Sequence, residues 1–175
     1  MTKDDIVLLL EEKHQTLLHW LETQDIEKWE VGPEGKWTTG QQALHLLQGI
    51  KTLNTAMSMP KILLKYKFGK ANRAVRDLDT VVNRYKERLK EIPDGAVFGP
   101  SQNMKIPRNQ DKPYILDRLQ VENKKLQYKT QKWKDKDLDG LILPHPLMGK
   151  MPVREIVMWT AYHIEHHTKQ LQAKY

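Results

Sequence analysis

Three histidines, His163, His166 and His167, stand in the stretch AYHIEHHTKQL near the end of the chain. Neutral imidazole is a ligand for zinc and nickel. On an α-helix His163 and His167 lie one turn apart on the same side, and His163 with His166 has usable i,i+3 spacing. Glu165 points away from the His163–His167 pair. The HExxH arrangement of metalloproteases, with its general-base glutamate, is missing. With no cysteine anywhere in the sequence, a bound metal must use His, Asp, Glu and water. Spacing leaves three readings open: a metal site, a polar hydrogen-bonded core, or an exposed histidine cluster.

A helix over residues 151–175 must position this cluster. Pro152 fits its first turn, where a missing N–H costs nothing. Ile156, Trp159, Thr160, His163, His167 and Leu171 then recur along one side. A further histidine has to come from another helix. The spacing of Thr38 and Gln41 predicts a capping box and a helix over residues 39–59, ending before Pro60. Ala43, Leu47, Ile50, Asn54 and Met57 form its core stripe. His45 lies on a different stripe, beside Gln41, Gly49, Thr52 and Ala56. Small residues there leave room for a pocket wall. The alternative is a solvent-facing side with His45 exposed.

The remaining elements fill out one domain, the expectation for 175 residues with 39% hydrophobic and 29% charged composition. A first helix is predicted over residues 4–28, with Val7, Leu10, His14, Leu17, Leu18 and Leu21 on its apolar side. Glu11 and Glu12 are expected to face solvent. His14 reads as either a core histidine or a pocket residue. Residues 61–70 are basic and mixed, and 71–91 look helical. Residues 92–113 form the longest helix-poor stretch, a crossover or pocket cover pinned by Val97, Phe98, Met104 and Ile106. Another core helix covers 114–134, with Glu122 or Asn123 as a polar insertion. Residues 135–152 break regularity, and Leu141, Ile142, Leu143 and Leu147 are expected to cover one end of a bundle.

The formal net charge is +7, and residues 61–90 hold ten Lys or Arg against three acids. A second basic stretch is KKLQYKTQKWKDK. These read as solvated helix faces, because no zinc finger, phosphate loop or RNA-binding strand motif accompanies them. Nucleic acid is therefore not the expected partner. No apolar run approaches membrane-spanning length, and the start MTKDDIVLLLEEKHQ lacks a secretory h-region. A cytoplasmic protein is the default expectation.

Three pieces, WTTGQQALHLL, HPLMGKMPVRE and AYHIEHHTKQL, together resemble the DinB-like superfamily, which includes YfiT-like metal-dependent hydrolases and thiol transferases. The resemblance implies an all-α four-helix bundle in up-down-down-up order, with the extra helix of 71–91 inside the long crossover between main helices 2 and 3. It implies a divalent metal, zinc or nickel, on His45, His163 and His167. His166 corresponds to a neighbouring, non-ligating histidine. Pro152 departs from the family, whose members often have a capping Thr there. A homodimer and a small-molecule substrate are also implied, with a low-molecular-weight thiol such as bacillithiol as cosubstrate in the transferase branch. Three imidazoles would leave a coordination position for water or thiol. His14 and Glu122 are the candidate general bases beside it. The competing expectation is a non-catalytic metal-binding bundle that recognises a ligand, a protein or its own second copy.

Overall fold

The computed structural model describes residues 1–93 and 104–175. Four long helices form its framework: α1 (Lys3–Thr23), α2 (Thr39–Ser58), α5 (Lys112–Lys132) and α7 (Val153–Lys174). Shorter helices α3 (Lys61–Phe68), α4 (Leu78–Lys90) and α6 (Asp135–Gly140) lie between them, with β1 (Ile142–His145) and β2 (Gly149–Pro152) before α7. The chain is thus an all-α bundle in its framework, corrected by one antiparallel hairpin that pairs Ile142 with Pro152 and His145 with Gly149.

Paired side chains show how the long helices lie. Lys3 donates to the carbonyls of Gln131 and Trp133, while Lys112 donates to that of Gln24, so α1 and α5 run in opposite senses. Asn54 meets Glu122 and Ser58 meets Lys129, which places α2 and α5 in the same sense. Lys13 pairs with Glu165, and Arg154 donates to the carbonyl of Met1, so α1 and α7 also run alike. The stripe Ala43, Leu47, Ile50, Asn54 and Met57 is buried as its spacing predicts.

Several boundaries differ from expectation for physical reasons. The first helix stops at Thr23, and residues 26–30 form a 3-10 turn that tucks Trp29 into the core. A Cβ at Gly40 would lie 2.8 Å from the Trp29 ring, so the first turn of α2 accepts this tryptophan because residue 40 has no side chain. The basic stretch after Pro60 is helical and ends at Gly69, whose φ of 95° lies in the left-handed region. Residues 71–77, expected to be helical, are not. The buried Glu155 carboxylate binds the Arg73 guanidinium and, at 2.7 Å, the Arg76 backbone N–H. Asp77 then caps α4 by accepting from Thr80 N at 2.7 Å.

Glu11, expected in solvent, instead joins α1 to α5 through Lys124 and Gln127. Pro152 sits at the N-cap of α7 rather than inside its first turn. Leu141, Ile142 and Leu143 are buried as expected, Ile142 and Leu143 within strand β1 and Leu141 just before it, whereas Leu147 is half-buried. Met104 is half-buried and its carbonyl accepts from Gln41 at 3.0 Å, whereas Ile106 is exposed. Val97 and Phe98 lie outside the described residues. No helix among the described residues is long and apolar enough to cross a membrane.

The two helical glycines of α2 make opposite predictions. Gly40→Ala should lower stability by about 1–3 kcal/mol through overpacking against Trp29. Nothing lies within 4 Å of a Cβ built at Gly49, so Gly49→Ala should raise stability by up to about 1 kcal/mol from helix propensity. Chemical denaturation of the two variants beside the parent protein measures both.

Candidate metal centre

The capping box at the start of α2 is formed as the sequence predicts. Thr38 Oγ1 accepts from Gln41 N at 3.1 Å, and Gln41 Oε1 accepts from Thr38 N at 3.0 Å. This fixes the phase of the helix and turns Gln42 and His45, three residues apart, toward α7. There His163 and His167 face them from successive turns. The three histidines converge, with their ligand atoms all within 4.8 Å of one another. His163 Nε2 lies 3.1 Å from His45 Nε2 and 3.1 Å from His167 Nε2.

These contacts decide between the readings that spacing leaves open. The cluster is not exposed: His163 and His167 are buried, and His45 is half-buried. Nor is it a well-satisfied hydrogen-bonded core. An imidazole nitrogen has one in-plane site, filled either by a proton or by a lone pair. His163 Nε2 therefore cannot make a normal linear N–H···N bond with both neighbours. With a proton it must split one donor between them. Without one it must either share a single lone pair between two donors or set it against another lone pair. The edges of a tetrahedral site with metal–nitrogen bonds of the usual length are about 3.3 Å, close to the two contacts at His163, and the three ligand atoms together lie within 4.8 Å. Three neutral imidazole nitrogens converging in this way can hold a divalent cation.

Their surroundings keep them neutral. Burial pushes His45 down to about 4. Burial also holds His163 and His167 well below the ordinary imidazole range, and the neighbouring histidines push in the same direction. Trp159 stacks on His163 with ring centres 4.4 Å apart, and Trp37 lies parallel to His167 at 6.5 Å. His167 Nδ1 meets Gln42 Oε1 at 2.9 Å. An amide oxygen only accepts, so Nδ1 carries the proton and the Nε2 of His167 presents its lone pair to the cluster.

The triad lines a cavity of about 590 Å3. Gly49, Thr52 and Ala56 form part of its wall, as the small-residue stripe beside His45 predicts. Much of the remaining lining is apolar, including Leu46, Leu53, Phe68 and Leu143. Lys36 and Lys174 are its charged lining residues, and no described carboxylate lines it. His145 also lines it. Its Nδ1 accepts from the backbone N–H groups of Leu147 and Met148, so the proton is on Nε2, which is buried without a partner. Burial lowers this histidine to about 4. Tyr85 reaches the cavity from α4, and burial raises its hydroxyl to about 12.

The structure does not bring the two expected general bases to the triad. His14 is fully buried within α1 and is not among the cavity residues. Both of its ring nitrogens lack a well-formed hydrogen bond, and burial lowers it to about 4. Glu122 is buried at the α2–α5 contact, where Asn54, Arg118 and Lys125 donate to its carboxylate. Burial works against its charge, but the bonds from Lys125 and Asn54 prevail and hold it below the usual carboxylate range. His166 lines the cavity outside the triad and accepts from Gln170 at 3.0 Å.

Sequence reasoning missed Gln42, Trp37, Tyr175 and His145 as site residues. Two of them carried a signal. Gln42 precedes His45 by three, and Tyr175 continues the four-residue steps His163, His167, Leu171.

Buried neutral histidines give the metal-free protein a defined acid response. The unfolded chain takes up these protons near pH 6.5, whereas folded His14 and His145 take them up only near pH 4. Their contribution is intact above pH 6.5 and is lost progressively down to about pH 4. Denaturation in chelator should show stability falling on the order of 1 kcal/mol per pH unit for each such group. His14→Leu should flatten that slope by one group while leaving stability at pH 7 equal or higher, because it removes a buried ring without a well-formed hydrogen bond.

No curated protein and no solved structure matched the chain. The profile of the DinB superfamily matches residues 9–171, a span that holds all three clustered histidines, and the chain belongs to that superfamily.

Proposed function

We propose that the protein is a metal-dependent enzyme of the YfiT-like kind, with zinc or nickel on His45, His163 and His167 and a hydrolase or low-molecular-weight-thiol transferase activity. The observation that carries this reading is the pair of 3.1 Å contacts at His163 Nε2, which hydrogen bonds alone cannot satisfy well. A bound metal would supply Lewis acidity, lowering the pKa of water or of a thiol such as bacillithiol in the open position. The protein's own residues supply the rest. Trp159 and Trp37 flank the ligand rings and limit their rotation. The apolar wall favours a small, largely apolar electrophile and excludes water from it. Tyr85 keeps its proton at neutral pH and offers a donor to a substrate oxygen.

This reading includes the up-down-down-up order of the four long helices, supported by the senses of the paired residues above, with α4 in the crossover. It also includes a homodimer acting in the cytoplasm. His14 and Glu122, the candidate bases, take no direct part in it, since each is held away from the cavity. The absence of a lining carboxylate among the described residues favours a second reading, a metal-binding bundle that binds a ligand without turning it over.

Elemental analysis of the purified protein should find about one equivalent of zinc or nickel, and His45→Ala and His167→Ala should lose it. A protein that takes up no divalent metal would sink both readings. For loaded protein, thiol conjugation to simple electrophiles, run beside an esterase and amidase panel, separates transferase from hydrolase. Turnover should fall at least about 100-fold in His163→Ala. Metal uptake with no turnover across both panels supports the binding reading.

A further inference from the structure

The proton carried by His167 is set by a chain of bonds that ends outside the cluster. Tyr175, in the last turn after α7, donates its hydroxyl proton to the backbone carbonyl of Trp37 in a short contact. A carbonyl only accepts, so the direction of that bond is fixed. The Tyr175 oxygen is then free to accept, and Gln42 Nε2 donates to it at 2.9 Å. This fixes which end of the Gln42 amide faces which way. Its oxygen is left pointing at His167 Nδ1, 2.9 Å away. The direction of each bond thus dictates the next, from the Trp37 carbonyl to the lone pair on His167 Nε2.

The route is built rather than incidental. Gln42 is buried, so its amide does not exchange these partners freely for water. A Cβ at Gly32 would stand 2.4 Å from the Trp37 carbonyl oxygen, so glycine at 32 is what lets that carbonyl take its position. The Trp37 ring lies parallel to the His167 ring on the same side of the site. One residue therefore both backs the ligand and terminates the relay that orients it.

We propose that Gln42 and Tyr175 are positioning residues of the metal centre, which hold His167 in the tautomer that presents Nε2 as a ligand. This rests on the metal-site reading and extends it to residues that touch neither metal nor substrate. Without Tyr175 the Gln42 amide can turn over and present its NH2 to Nδ1, which favours the opposite tautomer and places a proton where the metal must bind. Without the Gln42 oxygen no group selects between the tautomers. A carboxylate at position 42 would still accept from Nδ1–H and keep the selection, as in carboxylate–histidine–metal triads.

The test uses the full chain in two states. In the metal-free protein, 15N NMR of the histidine rings distinguishes the two tautomers of His167. In a competition titration with a zinc chelator, the same variants give zinc affinity. The wild type should show His167 protonated on Nδ1. Gln42→Leu should lose that single pattern and bind zinc about 10- to 100-fold more weakly. Tyr175→Phe, which removes only a hydroxyl, should show a mixture of tautomers and an affinity loss of at least about threefold. Gln42→Glu should keep the pattern and bind zinc at least about tenfold more tightly than Gln42→Leu.

A purely structural role predicts lowered melting temperatures in Gln42→Leu and Tyr175→Phe with tautomer and zinc affinity unchanged, and that result overturns the proposal. So does a wild-type His167 protonated on Nε2. If Gln42→Leu fails to fold, Tyr175→Phe and Gln42→Glu still decide. If the wild type takes up no zinc, the metal reading fails by itself, and the ring 15N pattern still shows whether the relay sets the tautomer.

Discussion

Three imidazole nitrogens occupy a space in which hydrogen bonds among themselves cannot satisfy them all. That constraint shapes the rest of the molecule. Neutral histidines placed so closely lose solvent and gain at most a shared proton between them. They stay together because two helices are fixed in phase and in depth. The capping box at Thr38 and Gln41 sets the rotation of α2 before its first full turn is complete. The i,i+4 spacing sets His163 and His167 on one side of α7. Neither device involves a metal, so the site is organised by the fold before anything binds. A preorganised site of this kind spends little of its binding free energy on ordering the protein.

The position of α7 is held from both ends, with the triad between. At its start, Glu155 is fully buried and gathers Arg73 and the Arg76 N–H, which pulls residues 71–77 out of helix. Next to it Arg154 binds Asp135 and Asp139 and reaches the carbonyl of Met1, joining α6 and the chain start to the same turn. At its end, Tyr175 is tied to Gln42 and Trp37. A sliding or rotation of α7 would therefore have to break ionic contacts at one end and a relay at the other. Pairs such as Glu155–Arg73, with the carboxylate buried and the guanidinium half-buried, gain little net stability over an apolar packing, but removing the arginine leaves an uncompensated buried charge. Their effect here is on where α7 sits more than on how stable the chain is.

What was legible in the sequence followed periodicity and local hydrogen bonding. The core stripe of α2, its cap and the pocket wall of Gly49, Thr52 and Ala56 all depend on one helix, and the pattern of that helix is complete within its own residues. The histidine set was legible only in part: spacing offered His163 with either His166 or His167, the small-residue stripe offered His45 as a third ligand, and the family resemblance selected His163 with His167. Elements set by long-range contacts were not legible. Residues 71–77 have a helix-like pattern, but a carboxylate some 80 positions away takes their N–H group. The hairpin at 142–152 was obscured because three prolines and a glycine read as irregular chain, although β1 carries buried residues on a backbone that pairs with β2. His14 and Glu122 were attractive as bases because a polar residue inside an apolar stripe looks functional. His14 sits in the core without a well-formed hydrogen bond and Glu122 joins two helices through its carboxylate, and spacing does not tell either placement from a base beside the cavity.

The cavity and the triad place opposite demands on the same wall. An apolar lining lowers the local dielectric, which strengthens any charge developed beside a cation and equally penalises a free carboxylate. The wall resolves this by using neutral polar groups. Tyr85 keeps its proton because burial disfavours the phenolate. His145 keeps its Nε2 proton because two backbone N–H groups occupy Nδ1. Lys36 and Lys174 put positive charge only where the side chains are exposed. An anionic group entering this cavity would meet donors and cations rather than a carboxylate. A neutral apolar group would lose nothing by entering. Such a wall, without a described carboxylate and in a chain without cysteine, offers a polar group at the triad neither a side-chain thiolate nor a side-chain carboxylate as competitor for the histidine nitrogens.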